Sequence, residues 1–180
     1  MPSPSLLKTY HTRSHREVQV CIASPHQFVL DRQHQLLPDW DIAVSYLILV
    51  LQRSFVPLNT SSDRVTREKN RLRAEFIDFG CSLILSLQEQ GYQSDLFDPR
   101  TGYPLLTSRG ITFDDNAVVK ALLNYPVIGY QHCSLLIHPA WGNNVYPSTI
   151  VTSAPSEAIN FCLEQIIDKF NWTLKIDNFM

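Results

Sequence analysis

The chain has 180 residues, 44% of them hydrophobic, and 15 Lys and Arg against 17 Asp and Glu give a formal net charge of −2. That length suits one domain with a core large enough to fold without disulfides or structural metal. The charge argues against a general nucleic-acid binder, which would carry a basic face. Cys21, Cys81, Cys133 and Cys162 lie far apart with no CxxC pair, against a structural zinc site or a redox motif. They read as reduced thiols of a cytoplasmic protein. The longest apolar run, Tyr46 to Leu51, is strand-sized and far short of the roughly 20 residues of a membrane span, so no membrane partner is expected.

Residues 1–16 carry Lys8, Arg13 and Arg16 without an acid and lack the hydrophobic arm of a secretory signal, while Pro2 and Pro4 break any early helix. They are expected to form a flexible tail, with residues 17–180 forming a single domain. Val18 to Ala23 alternates as a first strand and ends at Ser24-Pro25. Gln27 to Leu37 suits a short helix, and Ile42 to Leu51 a central strand buried on both faces. After the Pro57–Ser62 loop, Ser62 or Asp63 caps a long helix over Arg64 to Gln90, with Leu72, Phe76, Phe79, Leu83 and Leu87 as its apolar stripe and Gly91 as its stop. Its first turns hold Arg64, Arg67, Lys69, Arg71 and Arg73, which oppose the helix dipole. A phosphate, an acidic partner or local pairing with Glu68 and Glu75 would offset them.

Asp98-Pro99-Arg100-Thr101-Gly102 has turn chemistry and is expected to join strands Gln93–Phe97 and Tyr103–Thr107 as a hairpin. Asp114 or Asp115 caps a short helix through Leu123 that closes before Pro126. Val127 to Ile137 reads as one strand pairing with Val145 to Thr152. Ser156 caps a last helix with Ile159, Cys162, Leu163, Ile166 and Ile167 inward, and Trp172 to Ile176 adds a terminal strand. This mixed order fits an α+β sandwich with helices against a largely antiparallel sheet.

His132-Cys133 falls within a predicted strand, where neighbours face opposite ways. Cys133 is either a small hydrophobe or a thiolate offered to a metal, and His132 offers an imidazole; cobalt accepts both ligand types. His138, six residues on, shares a face with His132 on a regular strand. With Trp141 it either lines a pocket or is a backbone-bonded loop histidine beside a tryptophan that plugs the core. A Cys133–His138 hydrolase lacks any nucleophile-elbow or protease signature. Glycine-rich phosphate loops are absent, since the six glycines are scattered.

Gly91-Tyr92, Asp95, Asp98-Pro99, Gly102, Gly129, His138 and Trp141-Gly142, in this order and spacing, resemble the CblD family (methylmalonic aciduria and homocystinuria type D protein, MMADHC). The likeness runs from about Val18 to Ala154. It implies a nitroreductase-like α+β fold without bound flavin and without enzymatic activity. It further implies an adaptor that receives processed cobalamin, a transient ligand, from a CblC-like protein through a cobalt–sulfur contact. The adaptor directs the cobalamin towards methionine synthase or methylmalonyl-CoA mutase. Vertebrate members carry two adjacent cysteines before the His-x-x-Trp-Gly segment; here His132 stands at the first and Cys133 at the second. Either His132 supplies nitrogen to cobalt, Cys133 supplies sulfur, or cobalt is not held directly. The resemblance makes His132, Cys133, His138 and Trp141 the candidate cobalamin-facing residues, with Tyr92, Asp95 and Asp98 shaping the fold around them. The long N-terminal extension of animal members is missing, which favours a cytoplasmic role. Rival readings are a flavin-dependent nitroreductase-like oxidoreductase, with the Arg64–Arg73 cations near a flavin phosphate, and a cobalamin-independent interaction module.

Overall fold

The computed structural model describes residues 7–130 and 133–176. Its centre is β3 (Tyr46–Arg53), in which every residue from Leu47 to Gln52 is buried. Alternation puts Leu47, Leu49 and Leu51 on one face of the sheet and Ile48 and Val50 on the other. A strand apolar on both sides needs a covering layer on each. The sheet supplies its neighbours in the order β4-β7-β3-β2-β1-β8: β4 (Ser94–Phe97), β7 (Val145–Thr152), β3, β2 (Glu17–Ala23), β1 (Leu7–His11) and β8 (Thr173–Leu174). All five pairings are antiparallel. The molecule is therefore an α+β protein with a six-stranded antiparallel sheet and, among the described residues, five helices.

One face is covered by α3 (Asp63–Glu89) and α5 (Ser156–Lys169). Their apolar stripes, Phe76, Phe79 and Leu83 with Ile159 and Cys162, close over Ile48, Val50 and Ile150. Gly80 lets α3 lie close to the sheet, since a Cβ there would stand 2.7 Å from Leu96 Cδ2. The other face is covered by the short helices α1 (Gln27–Asp31) and α2 (Gln33–Leu36), by α4 (Asp115–Leu123), and by a separate two-stranded hairpin of β5 (Val127–Tyr130) and β6 (Cys133–Leu136). Caps follow the sequence closely: Ser62 Oγ accepts the Val65 N–H and Asp114 Oδ1 the Ala117 N–H.

Four expectations are corrected. Leu7–His11, placed in the tail, is a strand registered residue by residue on β2. Residues 127–137 form a hairpin rather than one strand, and β7 pairs with β3 and β4 instead of with them. The 98–102 turn returns along β4 only through the Phe97–Pro104 bridge and the Leu105 N–H to Leu96 carbonyl bond, because Asp95 captures the following amides: Leu106 N–H, Thr107 N–H and the Thr107 hydroxyl all donate to its carboxylate. Pro155, not Ser156, occupies the cap of α5.

The acids of α3 do not pair with their own helix's cations. Glu68 and Glu75 turn to Arg16, which is 1% exposed. Arg16 Nη1 donates to Glu68 Oε1 at 2.8 Å and to the Arg53 carbonyl at 2.6 Å, and its guanidinium lies 4.1 Å over the Phe55 ring. Burial pushes the Glu68 carboxyl up, but the bonds from Arg16 and from the Phe55 N–H outweigh it and leave the pKa below the ordinary value. Replacing Arg16 with Met strands a buried carboxylate and is expected to cost about 3–5 kcal/mol. Arg16→Met with Glu68→Leu should cost clearly less, measured by urea unfolding at neutral pH.

Candidate functional site

The β6–β7 connection is fixed by two side chains of β2. Glu17 and Gln19 alternate onto the same face of the sheet as Cys21, beneath the turn at 138–142. His138 and Gly142 exchange backbone hydrogen bonds across that turn, and Gly142 has φ of 59°, a conformation easy for glycine. His138 Nδ1 accepts the Ala140 and Trp141 N–H groups at 3.0 and 3.1 Å. Its hydrogen therefore sits on Nε2, which donates to Gln19 Oε1 at 2.8 Å. The Trp141 indole stacks on the imidazole with 4.0 Å between ring centroids, and its Nε1 donates to Glu17 Oε2. Glu17 also takes Lys175 and Arg53, and the Lys175 hydrogen bond first among these holds its carboxyl below the usual range.

His138 and Trp141 are brought together, but as the core-plugging pair. They are 3% and 8% exposed, and each polar atom of the two rings has an internal partner. This is the geometry of a backbone-bonded loop histidine beside a buried tryptophan. Burial holds the His138 imidazole down to about 4, with Glu17 opposing and Arg53 adding to the shift.

Cys133 is exposed at the first residue of β6, opposite Tyr130. His132 lies outside the described residues. The backbone from Cys133 to His138 is extended, so the two are separated by roughly 15 Å, and a Cys133–His138 catalytic pair is not formed. Among the described residues, no three His, Cys, Asp or Glu side chains gather as a metal site. Asp95 and Asp98 act as the sequence implies, as organisers of loops. Asp98 takes both Arg73 Nε and Nη2, at 2.7 and 2.6 Å, and the Arg100 N–H.

An open cleft of about 730 Å³ lies beside the hairpin, and Ser134 to Leu136 of β6 form part of its wall. It exists because β4 pairs only with Thr149–Thr152 of β7, leaving the outer edge of β7 from Val145 to Ser148 without a neighbouring strand. The N-terminal half of α3, the 99–102 turn and the start of α4 close around that edge. Sequence reasoning missed this site, because its residues come from six separate segments. The local signals were the Arg64–Arg73 cation run, for which a phosphate was one reading, and the Asp114-Asp115 pair, read only as a cap. Asp115 accepts a hydrogen bond from the buried Thr149 hydroxyl at 2.7 Å, and burial pushes its carboxyl up to about 7. Burial and then the nearby Asp115 also push the Tyr146 phenol up.

The family model described as methylmalonic aciduria and homocystinuria type D protein matches residues 5–162. The chain belongs to that family. It is also similar to the cobalamin trafficking protein CblD of Rattus norvegicus and of Mus musculus, each 22% identical over 128 residues. Those matches cover 68% of this chain and 42% of the relative, so the matched region spans less than half the length of either. The family match takes in β1 through the first half of α5, and so includes the hairpin, the cleft and the Glu17–His138–Trp141 cluster. No helix among the described residues is long and apolar enough to cross a membrane.

An imidazole that is neutral when folded and titrates at its ordinary 6.5 when unfolded stabilises the fold fully above pH 6.5, and that contribution is lost as pH falls towards 4. His138→Ala should therefore cost about 2–4 kcal/mol at pH 7.5 through lost packing and two orphaned amides. It should also flatten the fall in stability between pH 6.5 and 4, measured by denaturant unfolding across that range.

Proposed function

We propose that this chain is a non-enzymatic cobalamin-trafficking adaptor of the cytoplasm. In this reading it receives processed cobalamin from a CblC-like protein and passes it towards methionine synthase or methylmalonyl-CoA mutase. The nitroreductase-like arrangement of the family, without its flavin, belongs to the same reading. The observation that carries it is the family match together with the placement of Cys133. That thiol is exposed and stands on a two-stranded hairpin outside the main sheet, beside an open cleft.

A thiolate is a soft donor that cobalt accepts, and an exposed position at a strand start allows a large planar ligand to approach. Cys21 and Cys162 are buried, and Cys81 is only partly exposed, its thiol pushed up by burial. Cys133 is therefore the one exposed thiol among the described residues. Cobalt contact in this reading falls to Cys133 or to its neighbour His132, while His138 and Trp141 fix the end of the strand that carries Cys133.

The reading is tested by electron paramagnetic resonance of cob(II)alamin titrated with the protein, alone and with a CblC-like partner. A changed cobalt signal that disappears in Cys133→Ser assigns sulfur ligation; loss in His132→Ala assigns nitrogen. A signal that changes equally in both variants removes these residues from the contact. No change in any mixture sets the cobalamin reading aside in favour of a cobalamin-independent interaction module.

A further inference from the structure

The cleft beside β7 has a wall of unneutralised cations. Thr66, Lys69, Asn70 and Arg73 recur at the spacing of one helical face, and the first three line the cleft. Arg73 is spent on Asp98, whose carboxylate it takes through two hydrogen bonds. That same carboxylate accepts the Arg100 N–H, which fixes the turn and places Arg100 and Thr101 in the lining. Among the described residues, Lys69 and Arg100 have no carboxylate within 4.0 Å. Gly102 is required in the turn: its φ is 75°, and a Cβ there would stand 2.9 Å from the Phe113 carbonyl oxygen.

The opposite wall is acidic in sequence but weakly so in charge. Asp114 is committed to the cap of α4. Asp115 turns its carboxyl inward onto Thr149, and burial raises its pKa, which weakens its repulsion of an incoming anion. Two separated cations, flanked by the Thr66 and Thr101 hydroxyls and the Asn70 amide, offer donors in several directions. A tetrahedral phosphate uses such a set better than a planar carboxylate, which is served by one arginine fork. The volume, about 730 Å³, is large enough for the organic part of a nucleotide-sized molecule as well.

We propose that this cleft binds the phosphate of an organic phosphate ester between Lys69 and Arg100, with the rest of the molecule lying along the open edge of β7. The inference does not use the cobalt contact at Cys133. Two sources share the chemistry: a free nucleotide, and the nucleotide tail of cobalamin, whose phosphodiester the shorter cobinamide lacks.

The test is calorimetric titration of the full chain with adenosine monophosphate, hydroxocobalamin and dicyanocobinamide, repeated with Lys69→Gln and Arg100→Gln. Each variant keeps the Arg73–Asp98 pair, and circular dichroism checks its fold. The proposal expects binding of at least one phosphate-bearing probe, weakened about tenfold by either substitution and weakened further by added salt. Adenosine monophosphate alone marks a free nucleotide as the source. Hydroxocobalamin bound more tightly than cobinamide, with the difference erased by the substitutions, marks the cobalamin tail. Binding of neither phosphate-bearing probe at millimolar concentration overturns the proposal, as does affinity that ignores both cations. A cob(II)alamin resonance signal that changes while adenosine monophosphate does not bind and cobalamin and cobinamide bind alike overturns this inference and leaves the cobalt contact intact.

Discussion

The rest of the molecule depends on the two-sided burial of β3. A six-residue stretch, Leu47 to Gln52, is buried throughout, and both its faces must be closed for any of that burial to be favourable. Closing one face takes the long α3 and α5. Closing the other is left to shorter pieces: two helices of one turn each, α4, and a hairpin that belongs to no larger sheet. The asymmetry has a functional consequence. A face assembled from short elements leaves gaps between them, and the cleft at the outer edge of β7 is such a gap.

The short elements are held in place by polar side chains of the sheet itself. Glu17 and Gln19 point from β2 into the covering layer and meet Trp141 Nε1 and His138 Nε2. Thr149 does the same from β7 towards Asp115 of α4. On the opposite face, Arg16 reaches α3 through Glu68 and Glu75. Hydrogen bonds of this kind add little net stability each, but a buried polar group is costly to leave unpaired. They therefore fix the position of each covering piece against the sheet. For the hairpin the effect is clear: its far end is clamped at His138, and its near end carries the exposed Cys133.

What could be read from the sequence was what local spacing encodes. The α3 stripe, the Ser62 and Asp114 caps and the apolar run of β3 depend on neighbours a few residues apart, and they appear as read, except that the strand runs from Tyr46 to Arg53 rather than from Ile42 to Leu51. The pairing of β7 depends on residues about a hundred positions away, and no local signal records it. The hairpin at 127–136 was missed because Gln131-His132, the dipeptide between the paired Tyr130 and Cys133, is not one of the strong two-residue turn signatures, so the apolar pattern reads on as a single strand. Leu7–His11 was missed for a related reason: Lys8 and His11 make this strand look like a polar tail, although Tyr10 packs into the core.

The site residues divide along the same line. His138 and Trp141 stand out in the sequence because an imidazole and an indole so close together look like a ligand site, yet both are consumed by the fold. Lys69 stands out only as one of a run of cations that a phosphate, an acidic partner or local acids would offset, and Arg100 only as part of a turn. Their meaning comes from Arg73 and Asp98, which neutralise each other and leave the remaining two cations facing an open space. A charge-bearing residue becomes a binding group through what its neighbours do not neutralise. The conspicuous histidine has both ring nitrogens bonded inside the fold, whereas Lys69 and Arg100 line the cleft without an ion pair among the described residues.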